Sequence, residues 1–299
     1  MPSLSLKASI NYPFIGGPSG PSYDPDASAW FSAVEATGNT ITPTNKTAFN
    51  TAFLALKSNN IWDKISQGCF FVGISGANPL TGAFTPFKTI SGTTPTNVNF
   101  TTSDYNRLTG IIQDGGFNVT GTKYIDTGVL NALGEFDGNP AYLLDNRHAL
   151  LYNSRNDIAF DYLIGSIYQA EADANSFKFA LDGSTSTANW QLAFNNFASA
   201  LPTLNLNNGG RGFMGVSGDN INGGLTQYIF ENSEAIFGAS SEYPTGPLMA
   251  FLSATNVLIA PPPTGIKRIA FYSLGTSLAN SAQLTAYGSI INTLLSSLS

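Results

Sequence analysis

Among its 299 residues the chain has one histidine and one cysteine. Nucleophilic chemistry of the Ser-His or Cys-His kind would therefore have to pass through His148, and the one available thiol is Cys69. No Gly-x-Ser-x-Gly elbow accompanies them, because Gly73-Ile74-Ser75-Gly76 and Gly215-Val216-Ser217-Gly218 both fail at the final glycine. Cys69 stands between Gly68 and Phe70-Phe71-Val72, the setting of a buried strand in which a thiol behaves as a small apolar group. Both residues are expected to be structural. Carboxylate pairs could instead hydrolyse glycosidic bonds, one as nucleophile and one as general acid. Glu135-Phe136-Asp137-Gly138-Asn139-Pro140 begins like the E-x-D-x-x-E strand motif of sandwich glucanases, but Pro140 stands where the acid belongs. Glu171-Ala172-Asp173 fails at the same place, with Ser176. Glu231 and Glu234 would point to opposite faces of a strand running through both. Solvated surface positions explain all three pairs, and a glycan depolymerase using Glu135 and Asp137 or Glu231 and Glu234 is the enzymatic alternative.

Ligand motifs fare no better. Gly210-Arg211-Gly212-Phe213-Met214-Gly215 spells G-x-G-x-x-G, yet a dinucleotide loop must open a helix, and Val216-Ser217-Gly218-Asp219-Asn220 reads as another turn. Asp219-Asn220-Ile221-Asn222-Gly223-Gly224 resembles a calcium loop in its oxygen donors, but its twelfth position is Phe230, so a hairpin turn is expected. One His and one Cys cannot make a conventional zinc site or an internal disulfide. No metal or cofactor is expected. The sequons at Asn45, Asn99 and Asn118 are chance matches in a chain about 29% Asn, Ser and Thr.

Composition narrows the classes further. Charged residues make up 11% of the chain, net charge is −6 and the pI is about 4.6, which argues against gripping nucleic acid through clustered Lys and Arg. No run of signal-peptide or membrane-spanning character occurs, so neither membrane insertion nor export by a standard signal is expected. The 36 aromatic residues and abundant amides permit sugar binding without locating a site.

Residues 1–25 are rich in Pro and Gly and read as an extended arm. A small helical region is expected over 26–67. Its first helix, Ala29–Ala36, has possible caps at Asp26 and Ser28 and a stop at Gly38; its second starts at Thr44, aligns Phe49, Phe53 and Leu56 and ends at Asn59-Asn60. Residues 68–299 form the β-sandwich domain, with short β-rich runs between Gly, Asn, Asp, Ser and Pro clusters. Strands are expected at 69–74, 123–125, 149–152, 158–163, 177–181, 189–194, 212–216, 226–230 and 267–272. In the last, neither face is wholly apolar, so it should be covered on both sides. A C-terminal amphipathic helix capped by Asn280 aligns Tyr287, Ile290, Ile291, Leu294, Leu295 and Leu298, to lie on the sandwich or on a neighbouring subunit.

Several stretches resemble a family of bacteriophage and prophage virion-associated proteins. They include Ala33-Val34-Glu35-Ala36, residues 56–65 (Leu56 to Ile65), Asn78-Pro79-Leu80-Thr81-Gly82-Ala83 and Pro95-Thr96-Asn97-Val98-Asn99-Phe100. Asp104-Tyr105-Asn106-Arg107-Leu108-Thr109-Gly110, residues 121–128 (Gly121 to Gly128) and residues 269–278 (Ile269 to Leu278) follow in the same order. The resemblance covers most of the chain after residue 28. It implies a mainly β fold: an antiparallel concanavalin A-like, laminin-G-type β-sandwich with short N-terminal helices and one C-terminal helix. It further implies a non-enzymatic tail-fibre, appendage or capsid-decoration role at the virion surface, with no catalytic residues to carry over. Other virion proteins, a homo-oligomer such as a trimer, and a host-surface polysaccharide are the expected partners. The alternative function is a carbohydrate-binding host-recognition module.

Overall fold

Proline decides where the first two helices start. In the computed structural model, which describes residues 22–89, 93–113, 123–130, 147–154, 161–166, 177–184, 187–193, 204–206, 212–219, 225–230, 233–238, 247–249 and 267–299, α1 runs Pro25–Ala36 and α2 runs Pro43–Ser58. Proline has no amide hydrogen to waste and a φ already suited to a helix, so it sits at the first helical position and the residue before it becomes the cap. Asp24 and Thr42 are those caps, rather than Asp26 or Ser28 and Thr44: the Asp24 carboxylate accepts from the Asp26 amide at 3.0 Å and the Thr42 hydroxyl from the Asn45 amide at 3.3 Å. Gly38 ends the first helix region with φ +81°, and Asn59 and Asn60 end the second. Strand β1 (Asn39–Ile41) lies between the two helices.

A short 3-10 turn, Trp62–Lys64, then feeds β2 (Ile65–Phe70). The expected strand over 69–74 is divided: the chain leaves β2 after Phe70, passes Gly73 at φ +76° and re-enters as β3 (Ile74–Gly76), which pairs with β1. Helix α3 (Pro79–Ala83), β4 (Thr96–Val98), a 3-10 turn at Thr102–Asp104, β5 (Tyr105–Asn106) and β6 (Gly110–Gln113) follow. Then come β7 (Tyr124–Leu130), β8 (Arg147–Asn153), β9 (Asp161–Ser166), β10 (Phe177–Ser184), β11 (Thr187–Ala193) and β12 (Leu204–Leu206). The remaining strands are β13 (Gly212–Asp219), β14 (Leu225–Phe230), β15 (Ser233–Gly238), β16 (Pro247–Met249) and β17 (Lys267–Gly275), before helix α4 (Ser281–Ser297).

The fold is an antiparallel β-sandwich with a few helices, one of them C-terminal. One sheet has the order β12-β11-β10-β9-β16-β7-β4 and the other β15-β14-β13-β8-β17-β6-β5. Strand β17 organises the second. Residues 269–275 pair with β8 along one edge, while β6 takes residues 267–269 and β2 takes residues 271–275 of the opposite edge. Both faces of β17 are covered as its mixed pattern demands: every residue from Ile269 to Leu274 is buried.

Aromatic side chains join the helical region to this sheet. Trp30 lies 4.8 Å from Phe49 and 5.5 Å from Phe70, measured between ring centroids, and Phe70 lies 5.3 Å from Phe271. Phe271 is 5.9 Å from Tyr287 on α4, so ring contacts run unbroken from α1 to the last helix. The apolar face of α4 is thus spent inside its own chain, with Leu284, Tyr287, Ile291 and Leu294 buried. Asn280 caps α4 as expected, its side chain accepting from the Gln283 amide at 3.0 Å, and the Gln283 side chain returns a bond from the Ala279 amide at 2.8 Å.

Candidate functional site

His148 lies on β8 opposite Gly275 of β17 and opposite Ser217 of β13. Because successive strand residues face opposite sides, Ser273 lies on the same face of β17 as Gly275 and comes beside the ring. The histidine Nε2 is 2.9 Å from the Ser273 hydroxyl and Nδ1 is 2.6 Å from the Thr276 carbonyl. A carbonyl can only accept, so Nδ1 carries the proton and Nε2 accepts from the Ser273 hydroxyl. This is the spacing of a serine polarised by an oriented base. Its environment denies it a substrate: His148 is 1% exposed, Ser273 0% and Tyr287, which stands edge-on to the imidazole at 6.2 Å, 0%. Burial drives the His148 pKa down to about 4; the Thr276 carbonyl opposes this, and the Lys64 and Lys88 ammonium groups add to it. The ring is neutral at physiological pH.

Cys69 is equally sealed. Its thiol donates to the Tyr272 hydroxyl at 3.7 Å, and that hydroxyl donates to Gln67 Oε1 at 2.8 Å. The Gln67 amide continues the chain to the Thr127 carbonyl at 2.9 Å and the Thr93 hydroxyl at 3.1 Å. Burial pushes the thiol pKa up to about 12 despite the tyrosine contact, which leaves it protonated and inert. The network ties β2, β17 and β7 together, and its buried polar groups have partners, as an interior requires.

A third polar cluster sits nearer the surface. Asp104 accepts the Thr101 amide at 2.7 Å and hydroxyl at 3.0 Å, and pairs with Lys123 at 2.7 Å. Burial raises the Asp104 pKa, but the Lys123 and Thr101 contacts outweigh it and the net shift is downward. A carboxylate with a lowered native pKa contributes stability that is present above the ordinary carboxylate range and disappears as pH falls through the native value. Asp104→Asn is therefore expected to lose about 1 kcal/mol at neutral pH, with the difference from wild type closing in acid, as measured by urea unfolding at several pH values.

Of the carboxylates singled out for hydrolysis, only Glu234 is among the described residues. Glu135, Asp137, Glu171, Asp173 and Glu231 lie outside the described residues. Glu234 is in β15 opposite Ile229. Gly212 to Asp219 form strand β13, with no helix after the glycine motif to receive a phosphate; Val216–Asp219 extend that strand instead of turning. Asp219 pairs with Leu225 in the antiparallel β13–β14 ladder; Asn220–Gly224, where the turn is expected, lie outside the described residues. Among the described residues no three His, Cys, Asp or Glu side chains converge as a metal site, and no helix is long and apolar enough to cross a membrane.

The sequence alone did not pair His148 with Ser273, 125 residues away. The available signal was the one serine in a strand expected to be covered on both faces, since a buried hydroxyl needs a partner.

No protein-family model matches the chain, and no curated sequence matches it significantly. Solved structures of similar shape include domain 4 of AbnA, a GH43 extracellular arabinanase from Geobacillus stearothermophilus, in complex with arabinotriose (14% identity, 75% of this chain and 98% of that one, TM-score 0.40). A mutant of Trypanosoma rangeli sialidase displaying trans-sialidase activity shares 7% identity over 83% of this chain and 39% of its own, with a TM-score of 0.43. Bacteroides ovatus xyloglucan PUL GH43B shares 10% over 56% and 32%, with a TM-score of 0.33. The chain spans well under half the length of the last two. At such identities and TM-scores these likenesses carry no statement about this chain.

Proposed function

We propose that the chain is a non-enzymatic structural protein of a bacteriophage virion, displayed on the particle surface as capsid decoration or as part of a tail fibre or appendage. The order of motifs shared with virion-associated proteins supports this reading. The structural observation that carries it is the way the Pro/Gly-rich arm is rooted. At the end of the 1–25 segment, the Tyr23 ring packs edge-on against Phe31 at 5.3 Å. The Asp24 amide donates to Asn50 Oδ1 at 2.6 Å, and the Asp24 carboxylate, only 8% exposed, pairs with Lys57 at 2.7 Å. An arm leaving a fixed point on a rigid body transmits its attachment to the whole domain, whereas one on a loose tether would not.

Other virion proteins are the partners in this reading, copies of the same chain among them, and the protein is made in the host cytoplasm. Deleting residues 1–21 keeps the Asp24 cap of α1 and tests the proposal directly. The truncated protein is expected to keep the wild-type circular dichroism and melting temperature while losing association with purified particles. Undiminished association would overturn the arm as the attachment device, and absence of the wild-type protein from density-purified particles would overturn the virion assignment. Saturable binding to host polysaccharide by a chain absent from particles would assign it to carbohydrate recognition instead.

A further inference from the structure

The start of the arm carries a pattern distinct from the prolines that follow it. From Ser3 to Tyr12 polar and apolar residues alternate without a break, with Leu4, Leu6, Ala8, Ile10 and Tyr12 on one side and only serine, lysine and asparagine on the other. Period two sustained over ten residues is the signature of a strand with one covered face, about 33 Å long. Pro2 and Pro13 bound it, since neither can donate to a ladder. The nine residues 13–21 hold three prolines and three glycines and make a tether of at most about 30 Å, ending at the Asp24–Lys57 anchor.

The ribbon of β1 and β3 is only two strands wide, and a ribbon of that width gains from a third. Its β3 side is in use: the Tyr105 hydroxyl accepts from the Ile74 amide at 3.2 Å and donates to the Ile74 carbonyl at 2.9 Å, and the Gly73 amide donates to the Arg107 carbonyl at 2.7 Å. Its β1 side is not. Beyond the ladder with β3, no main-chain group of Asn39, Thr40 or Ile41 has a hydrogen bond among the described residues. β1 also alternates, with Asn39 and Ile41 buried and Thr40 exposed. A strand alternating in the same sense can extend this edge, its leucines and isoleucine in line with the buried residues and its serines in line with Thr40.

We propose that residues 3–12 of one copy add as a strand to the free edge of β1 in a second copy, so that the arm links identical subunits head to tail. This rests on the reading of the arm as the attachment device and names what the arm grips. Main-chain hydrogen bonds hold such a strand, and the alternate side chains set its register. The place of the root favours a second copy over the chain's own ribbon. Asp24 caps the start of α1 and β1 follows its end, so an arm serving its own edge would have to run back along a helix about 18 Å long. The prolines of the tether bias the residues before them towards extended backbone, which opposes that reversal. Each copy gives one strand and receives one, an arrangement that closes as a ring or continues as a chain of subunits.

Disulfide trapping tests this on the full chain, whose one native thiol, Cys69, is buried. Thr40→Cys is combined in turn with a single cysteine at each position from 3 to 12, oxidised mildly and read on a non-reducing gel. Linked dimers are expected from the polar side, such as Ser5→Cys or Ser9→Cys, and about tenfold less from Leu6→Cys and Ile10→Cys, whose side chains leave the opposite face. Light scattering on the unmodified protein at high concentration is expected to give more than the mass of one chain, and Leu6→Asp the mass of one chain. Disulfides within single chains would show the arm closing on its own ribbon and overturn the proposal. Equal linkage at all ten positions, no linkage, or a wild-type monomer would overturn it as well. Particle association without linkage to Thr40 would keep the attachment reading and overturn this one, the arm then gripping a different virion protein. Alternating linkage in a protein absent from purified particles would support this inference and overturn the virion assignment.

Discussion

Trp30→Ala is expected to destabilise the protein by about 3–5 kcal/mol, the range for removing a large buried aromatic side chain. Trp30 is 3% exposed and touches four rings at once, with centroids 5.6 Å to Phe31, 4.8 Å to Phe49, 6.0 Å to Phe53 and 5.5 Å to Phe70. Its indole also donates to the Thr85 carbonyl at 3.0 Å, so alanine removes packing and a hydrogen bond together. α1, α2 and β2 all contribute to the space left behind, and none can close it without pulling away from the others. Differential scanning calorimetry should register a fall of roughly 10 °C. Trp30→Phe separates the two contributions: with a ring retained and the Thr85 bond lost, a cost of about 1–2 kcal/mol is expected. Equal melting temperatures for Trp30→Ala and wild type would show that the helical region does not depend on the ring cluster.

Gly110→Ala should have an effect of similar size for an entirely different reason. Gly110 opens β6 at φ +98°, a conformation that side chains rarely adopt, and a Cβ there would run into the Ile269 carbonyl and lie 2.8 Å from the Ala270 Cα. Those atoms belong to the backbone of β17, which cannot swing aside as a side-chain tip can. Either β6 loses its pairing with Lys267–Ile269, or β17 shifts against β8. Backbone strain and overpacking together are expected to cost about 3–5 kcal/mol. Urea unfolding gives the magnitude, and exchange protection at Ile111 and Ile269 shows which pairing yields. A stability within about 0.5 kcal/mol of wild type would refute the close approach of β6 to β17.

The parts that were legible in the sequence are those whose residues declare their own neighbours. Helix α4 announced itself through Asn280 and Gln283 at its start and Tyr287, Ile291 and Leu294 at helical spacing. The mixed pattern of β17 pointed to cover on both faces, and the burial of Ile269–Leu274 agrees. Strands β4, β5, β12 and β16 were missed because two or three residues cannot display alternation; they are strands because a longer neighbour pairs with them. β2 and β3 read as one strand because a positive φ at Gly73 leaves no trace in an apolar run. The polar clusters were legible in part. Burial of Cys69 followed from its setting and His148 was expected only to be structural, whereas their partners Tyr272 and Ser273 depend on the long-range register of β17.

That register also dictates an order of events during synthesis. β17 separates β8 from β2 and β6, and the Tyr272–Gln67 bond joins residues 205 positions apart. Until residue 275 has left the ribosome, β2, β6 and β8 have been made but lack the strand that sits between them, and their open edges are exposed. The aromatic cluster of the helical region can gather early, yet Phe271 and Tyr287 complete it only at the end. Completion of the second sheet therefore waits for translation to reach its central strand, whereas every strand of the first sheet has been made by residue 249.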